Sequence, residues 1–372
     1  DGVAQAVPSG VISDAHFQSY SPGVSLSGQL LLGDAIYNSL ASKQLLKAST
    51  QALEAGRLDA VLAAANGYFD LVKARAMVDV TRESIQILRD YQKQLHEAVA
   101  TGIAFRGDEL RVQTQTEQNE IVLQQASERQ RITAVTLAQV LHLDSKVELV
   151  PLDTGLTPLK VLPDGLSMNS LVDQALRNRP ELKRSEALLA ASRTARNGAL
   201  YGSLIPGVGA QVFAGGLGGG PDGAPSNLGP EGDYTVGLSW RIGPGGLFDP
   251  GRIHASKARL QAAEFADSKL KDLVTAQVVS ALVRVNSTAT QIELAQRNLK
   301  TAKDALELTR QRKQFGVGVV LEDIQAAEAL TQARADYVTA VTEHDKAQCA
   351  LTYAVGEMPQ SDNAAASPGV KR

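Results

Sequence analysis

A chain of 372 residues that is 44% hydrophobic but only 4% aromatic draws its core from Ala, Leu and Val. That diet suits closely packed helices and argues against a large enzyme core, which relies on aromatic side chains for much of its buried area. The net charge of −3, with acids and bases alternating along the chain, leaves no electrostatic footprint for nucleic acid.

The elements read as follows in chain order. A strand is expected loosely within residues 3–18 and a second over 22–32, where Val24, Leu26 and Leu30 alternate with Ser25, Ser27 and Gln29. Residues 37–100 contain no Pro and are dominated by strong helix formers, which predicts one very long helix. A break at 101–107 separates it from a helix over 108–142. Residues 145–168 form an irregular connector punctuated by Pro151, Pro158 and Pro163. A helix follows over 169–199, interrupted at Arg179-Pro180, where proline suits the first turn of the resumed helix.

The period then changes to two. Strands are predicted over 206–214 and 233–242, and in the latter Tyr234, Val236, Leu238, Trp240 and Ile242 share one face. The glycine-rich text between them, Gly215 to Gly232, reads as a flexible surface loop. It lacks the Lys-Ser/Thr and following helix of a phosphate cradle. Helices over 251–314 and 322–356 flank a break at 315–321, and residues 358–372 read as a flexible tail. Cys349, the only cysteine, sits beside Ala347 and Ala350 as a small core residue.

The chain also repeats itself 214 residues apart. Ala41-Ser42-Lys43 returns as Ala255-Ser256-Lys257, Gly102 as Gly316, Asp108-Glu109 as Glu322-Asp323, and Leu137 as Leu351. A period this long makes each copy a large supersecondary unit. The first copy spans 1–144 and the second 169–357, and each ends in a helical hairpin of unequal arms. No run of some 18 apolar residues exists to form a transmembrane helix, but the alternating strands have the length and texture of transmembrane β-strands. A soluble sheet with one wet face gives the same alternation. Placement favours the membrane reading, because the strands join long helices with no compact domain to supply a second layer.

These residues resemble the TolC-like outer membrane efflux family over about residues 20–357. Ala175-Leu176-Arg177-Asn178-Arg179-Pro180-Glu181-Leu182 looks like its helix-opening signature. Ser239-Trp240-Arg241-Ile242 with Leu247-Phe248-Asp249-Pro250-Gly251-Arg252-Ile253 looks like its strand-to-helix transition, and Gly316 with Asp323-Ile324-Gln325-Ala326 like its hairpin tip. The resemblance implies a mainly α fold with membrane β: a homotrimer whose protomers each lend four strands to a twelve-stranded barrel, continued by a periplasmic α-helical barrel. A complete first repeat should open with a helix equivalent to 169–199, and only weakly patterned residues stand before the strand at 22–32. Strand one and any N-terminal lipid anchor are left open for that reason.

A duct needs no catalytic group, and neither a catalytic constellation, a metal-ligand pattern nor a cofactor motif is visible. His96 and His344 read as surface helix positions. Asp108, Glu109, Glu322 and Asp323 open the second arms of the two hairpins, and Asp108 and Glu322 match acidic tip positions of the family. In a trimer they would ring the pore entrance and favour cations. First-turn acids also stabilise a helix dipole by ~0.3–1 kcal/mol without further purpose. A Tyr–Arg latch known in the family has no counterpart, since Lys313 and Gly318 occupy its positions.

The apolar tips Gly102-Ile103-Ala104-Phe105 and Gly316-Val317-Gly318-Val319-Val320-Leu321 are the expected docking surface for a periplasmic adaptor that bridges to an inner-membrane transporter. Val24, Leu26, Leu30, Tyr234, Val236, Leu238, Trp240 and Ile242 are expected to face outer membrane lipid. The alternatives are a periplasmic adaptor, which has one hairpin rather than two, and a soluble coiled-coil scaffold, for which the alternating strands have no use.

Overall fold

The protein is described by a computed structural model covering residues 17–144, 146–151, 157–160, 167–221, 229–314 and 320–357. Its elements run in the order β1 (Phe17–Tyr20), β2 (Gly23–Leu31), α1 (Leu32–Ala100), α2 (Arg106–Val140), α3 (Met168–Asn178), α4 (Pro180–Tyr201), β3 (Gly207–Pro221), β4 (Gly229–Ser239), α5 (Pro250–Gln314) and α6 (Val320–Val355). The fold is mainly helical with one antiparallel sheet. It divides into two compact units, Asp1–Lys47 with Ala187–Phe265 and Ala48–Glu186 with Ala266–Arg372. Among the described residues, no helix is long and apolar enough to cross a membrane.

The first unit holds the sheet, with β3 at its centre. One side of β3 pairs with β4, from Gly207↔Ser239 to Leu217↔Gly229. The other side pairs with β2 and then, in unbroken register, with β1: Gly23 faces Gly215 and Tyr20 faces Gly218. β1 and β2 are therefore one strand line interrupted at Ser21-Pro22, not two neighbouring strands. Proline explains the interruption, because it has no N–H for the ladder. Its carbonyl still accepts from the Gly216 N–H at 2.9 Å. Residues 1–16, where most of the expected first strand falls, lie outside the described residues.

The glycine-rich segment departs from expectation. Instead of looping from Gly215, β3 continues to Pro221 and β4 begins at Gly229, while 222–228 lie outside the described residues. Period-two alternation cannot register where five of six residues from Gly215 to Gly220 are glycine, so the strand was hidden by its own composition. Gly215 is needed for contact: a Cβ there would stand 2.4 Å from the Pro22 carbonyl oxygen.

The second unit contains the helical hairpins. α1 ends at Ala100 and α5 at Gln314, while α2 starts at Arg106 and α6 at Val320, so both boundaries recur at the 214-residue period. Its packing is aliphatic. Leu88, Ala302, Leu306, Ala327, Leu330 and Ala333 form one cluster. Leu171, Ala175, Leu182, Val274, Val278, Leu351, Ala354 and Val355 form another. Each buried Leu or Val contributes ~1.5–3 kcal/mol relative to exposure.

The second half of α6 is covered on all sides, as befits a helix enclosed by others. Lys346 pairs with Asp70 of α1 at 2.5 Å, and Arg284 of α5 pairs with Glu343 at 2.9 Å. The connector closes on it as well, the Leu159 N–H donating to Asp345 Oδ1 at 2.8 Å. His344, expected at the surface, is buried here against Thr288 Oγ1 at 3.1 Å. Polar positions of this half of α6 are covered along with its apolar ones. Cys349 is buried, and burial pushes its thiol pKa up.

Between α3 and α4, Arg179 caps the first helix and is itself buried. Its guanidinium bonds both oxygens of Glu181, at 2.9 and 3.2 Å, and the Gln277 side chain, and lies 5.1 Å from the centroid of the Tyr353 ring. Pro180 opens α4 directly behind it.

Candidate functional site

The closed ends of the two hairpins meet in the second unit. Leu95 of α1, Val112 of α2 and Ile324 of α6 form a buried cluster, with Tyr91, Ala104 and Val320 packed against it. The apolar anchor positions near each turn thus fix the ends of both hairpins to one another.

The four carboxylates expected at the mouth occupy different environments. Asp108 is partly exposed and pairs with Arg111 at 3.3 Å. Glu109 accepts from or bonds with His96 Nδ1 at 2.7 Å, linking α2 back to α1 across the turn. Glu322 is half-exposed, with Arg312 at 3.5 Å. Asp323 is only 5% exposed, and its carboxylate lies beside the Tyr91 phenol. Burial foremost, then the adjacent Asp323 carboxylate and the charge of Asp108, push the Tyr91 phenol pKa far up. Asp323 is therefore an internal group of the protomer rather than one of its outward carboxylates, because its helical phase matches that of Ile324 and Ala327 on the packed side of α6.

Sequence reasoning missed Tyr91 and His96. Tyr91 lies 232 residues from Asp323, and no local spacing connects them. His96 and Glu109 were legible in principle, because a helical hairpin centred near Gly102–Ala104 brings residues equally distant from its turn together. Asn119 donates to Ser84 Oγ at 3.0 Å, and Arg89 to Glu120 at 2.6 Å, by the same geometry.

Among the tip residues, Ile103 and Phe105 are 84% and 81% exposed. Ala104 instead packs inward. Gly102 adopts a left-handed φ of +75°, which suits a residue without Cβ. Leu321 is exposed and Val320 half-buried, whereas Gly316, Val317, Gly318 and Val319 lie outside the described residues.

The sheet of the first unit sorts most of its side chains by face, with Phe213 and Leu217 as apolar residues on the otherwise polar side. Antiparallel partners share a face, so the register stacks Leu26 with Val212 and Tyr234, Leu30 with Val208 and Leu238, and Gly28 with Ala210 and Val236. The opposite face stacks Ser27 with Gln211 and Thr235. There Gln29 Nε2 donates to Ser239 Oγ at 3.0 Å. All eight residues expected to face lipid, Val24, Leu26, Leu30, Tyr234, Val236, Leu238, Trp240 and Ile242, are exposed on the protomer. The strip gains Val208 and Val212 from β3, which the weak pattern of that strand had obscured.

Comparison with known proteins identifies this architecture. Residues 171–357, half of the chain, match the family described as outer membrane efflux protein. Nodulation protein T of Rhizobium leguminosarum bv. trifolii is 26% identical over 190 residues, covering 49% of this chain and 38% of that protein. The matched region thus spans well under half the length of this curated relative. A membrane protein from Pseudomonas aeruginosa has a similar structure, with a TM-score of 0.76 at 17% identity, covering 92% of this chain and 84% of that one. The outer membrane protein VceC from Vibrio cholerae gives a TM-score of 0.73 at 15% identity, covering 93% and 87%. At such identity the structures speak for the fold, which is that of outer membrane channels built from strands and long helical hairpins. The family assignment rests on the sequence match: the chain belongs to the outer membrane efflux protein family.

Proposed function

We propose that the chain is the protomer of a passive exit duct, which carries substrates from an inner-membrane transporter and a periplasmic adaptor through the outer membrane. The observation that carries this reading is the sheet, with an exposed apolar strip, a mostly polar opposite face, and β2 and β4 pairing with β3 alone among the described residues. In lipid, every backbone N–H and C=O needs a partner, so such a sheet must close with other copies. A homotrimer supplies those partners: twelve strands take the three strand lines described in each copy and the strand expected within residues 3–18, with the apolar strip outward and the mostly Ser, Thr and Gln face toward a water-filled lumen. On this reading the two halves, 1–144 and 169–357, are duplicate copies joined by the connector at 145–168, with 358–372 as a tail. The family is one of channels, and no reaction is assigned to the protein.

The mouth lies at the hairpin ends. Asp108 and Glu322, with Glu109 behind them, would supply a ring of negative charge that concentrates cations. Asp323 contributes structure instead. Ile103, Phe105 and Leu321, with Gly102, Val320 and the neighbouring Gly316–Val319, form the adaptor-docking tips, since exposed apolar groups at a helix turn call for a covering partner.

Single-channel recording of the detergent-extracted protein in a planar bilayer tests the reading. A long-lived, cation-preferring conductance is expected. A protein that stays soluble without detergent and never inserts would return the adaptor and scaffold readings.

A further inference from the structure

The turn from β4 into α5 breaks a local rule. Asp249 caps α5: its Oδ1 accepts from the Arg252 N–H at 2.9 Å, and its Oδ2 from the Gly245 N–H at 2.8 Å. The residue before a cap ordinarily packs on the fourth helical residue, which here would fold Phe248 onto Ile253. Instead Phe248 has a left-handed φ of +64° and is 84% exposed. A bulky side chain in that region is strained.

The turn is nonetheless firmly built. Gly243 N–H donates to the Leu247 carbonyl at 3.0 Å, and Leu247 N–H to the Arg241 carbonyl at 2.8 Å. A Cβ on Gly246 would stand 2.1 Å from that same Arg241 oxygen, so only glycine fits the approach. Phe248 is thus displayed by a fixed scaffold, in conflict with both local packing and backbone preference. Local rules are broken in this way at functional sites.

Continuity identifies the partner. The apolar face of β4 runs Tyr234, Val236, Leu238 and on through Trp240 and Ile242 to the turn, all exposed. Trp240 spends its Nε1–H on the Leu204 carbonyl at 3.3 Å. Arg241 lies beside the turn, its Nη1 3.4 Å from the Gly245 carbonyl, while the Asp249 carboxylate is occupied by the cap. Aromatic rings with an adjacent cation are the composition of a membrane–water interface.

We propose that Phe248, continuing the strip through Trp240 and Ile242, is an interfacial anchor seated in the phospholipid leaflet on the helix side of the sheet. This rests on the lipid-facing reading of the strip.

Trp240 is the only tryptophan of the chain, which permits a direct test. The wild type and a Trp240→Phe/Phe248→Trp variant are each reconstituted in phosphatidylethanolamine–phosphatidylglycerol vesicles containing lipid brominated either near the headgroup or near the acyl end. Tryptophan at 248 should lose emission to the shallow bromines more than to the deep ones. Quenching at Trp240 with none at 248 overturns the anchor and leaves the lipid-facing strip standing, with another copy as the cover of the turn. Quenching at neither position removes both. Phe248→Asn keeps the test open if the double variant does not fold, because Asn tolerates the left-handed backbone. The wild type should show slower hydrogen exchange at 243–248 in vesicles than in detergent, and the Asn variant should lose that difference; equal exchange in both media for the wild type overturns the proposal.

Discussion

Tyr91 and Asp323 belong to different hairpins, yet the phenol of one lies beside the buried carboxylate of the other at the closed ends of both. Removing one partner of such a pair costs more than the pair itself contributes, because the other is left desolvated without its polar neighbour. Tyr91→Phe should destabilise the protein by ~1–3 kcal/mol. Asp323→Asn, which keeps a polar group of the same shape beside the phenol, should cost less. Tyr91→Phe combined with Asp323→Leu should recover much of the loss. Thermal unfolding of the three variants checks this order.

Two buried groups on α6 give opposite pH dependences. Burial holds the Asp345 carboxyl up at about 6, although the Leu159 N–H pulls it down. Its folded pKa lies above the unfolded value, so the neutral form is favoured, and stability is lost as pH rises from about 4 to 6. Burial lowers the pKa of His344 although the Val285 backbone carbonyl, as an acceptor for the ring, pulls it up. Its stability is present above about 6.5 and lost as pH falls below that. Asp345→Asn retains the acceptor for Leu159, so it should raise stability above pH 6, by on the order of 2–3 kcal/mol. It should also unmask a steeper loss on acidification. Melting temperatures measured across this pH range for wild type and variant provide the comparison.

Arg179 makes a forked pair with Glu181 while lying over Tyr353. Lysine has neither the fork nor the flat face, so Arg179→Lys should behave as a loss rather than a conservative change. Both Arg179→Lys and Arg179→Ala should destabilise by ~3–5 kcal/mol, the range for breaking a buried ion pair. Denaturant midpoints read the effect, and a lysine variant as stable as wild type would show that charge alone suffices.

Ile103 and Phe105 make little contact within the protomer, so Ile103→Asp with Phe105→Asp should leave the melting temperature unchanged within ~0.5 kcal/mol equivalent. Export in cells should nevertheless fall if these side chains bind the adaptor. Normal export by a stable double variant would remove them from the docking surface.

Asp108→Ala with Glu322→Ala should reduce the cation preference of the channel while preserving its assembly, because both side chains are partly exposed and their ion pairs with Arg111 and Arg312 are worth only ~0–1 kcal/mol each. Reversal potentials under a salt gradient measure this directly.

Much of the architecture was legible because it is periodic. The long helices lack Pro, and the apolar face of β4 advertises itself by period two. The hairpin boundaries fall at the same 214-residue spacing as the sequence repeat. What stayed hidden had no periodic signature. The glycines of β3 carry no side chains to alternate, so a strand read as a loop. The polar residues of α6 suggested a wet face where α1, α5 and the connector cover it. Asp323 resembled the other tip acids in type and position, and only its phase on α6, set by Ile324 and Ala327, distinguishes it.

The central claim is that the two faces of the sheet meet different solvents. Single cysteines placed from 234 to 239, in a Cys349→Ala background reconstituted in vesicles, test it through labelling by a water-soluble and a lipid-soluble maleimide. Positions 235, 237 and 239 should react with the water-soluble reagent, and 234, 236 and 238 with the lipid-soluble one alone. Equal reaction of all six with the water-soluble reagent would place the sheet outside the membrane and contradict the exit-duct account.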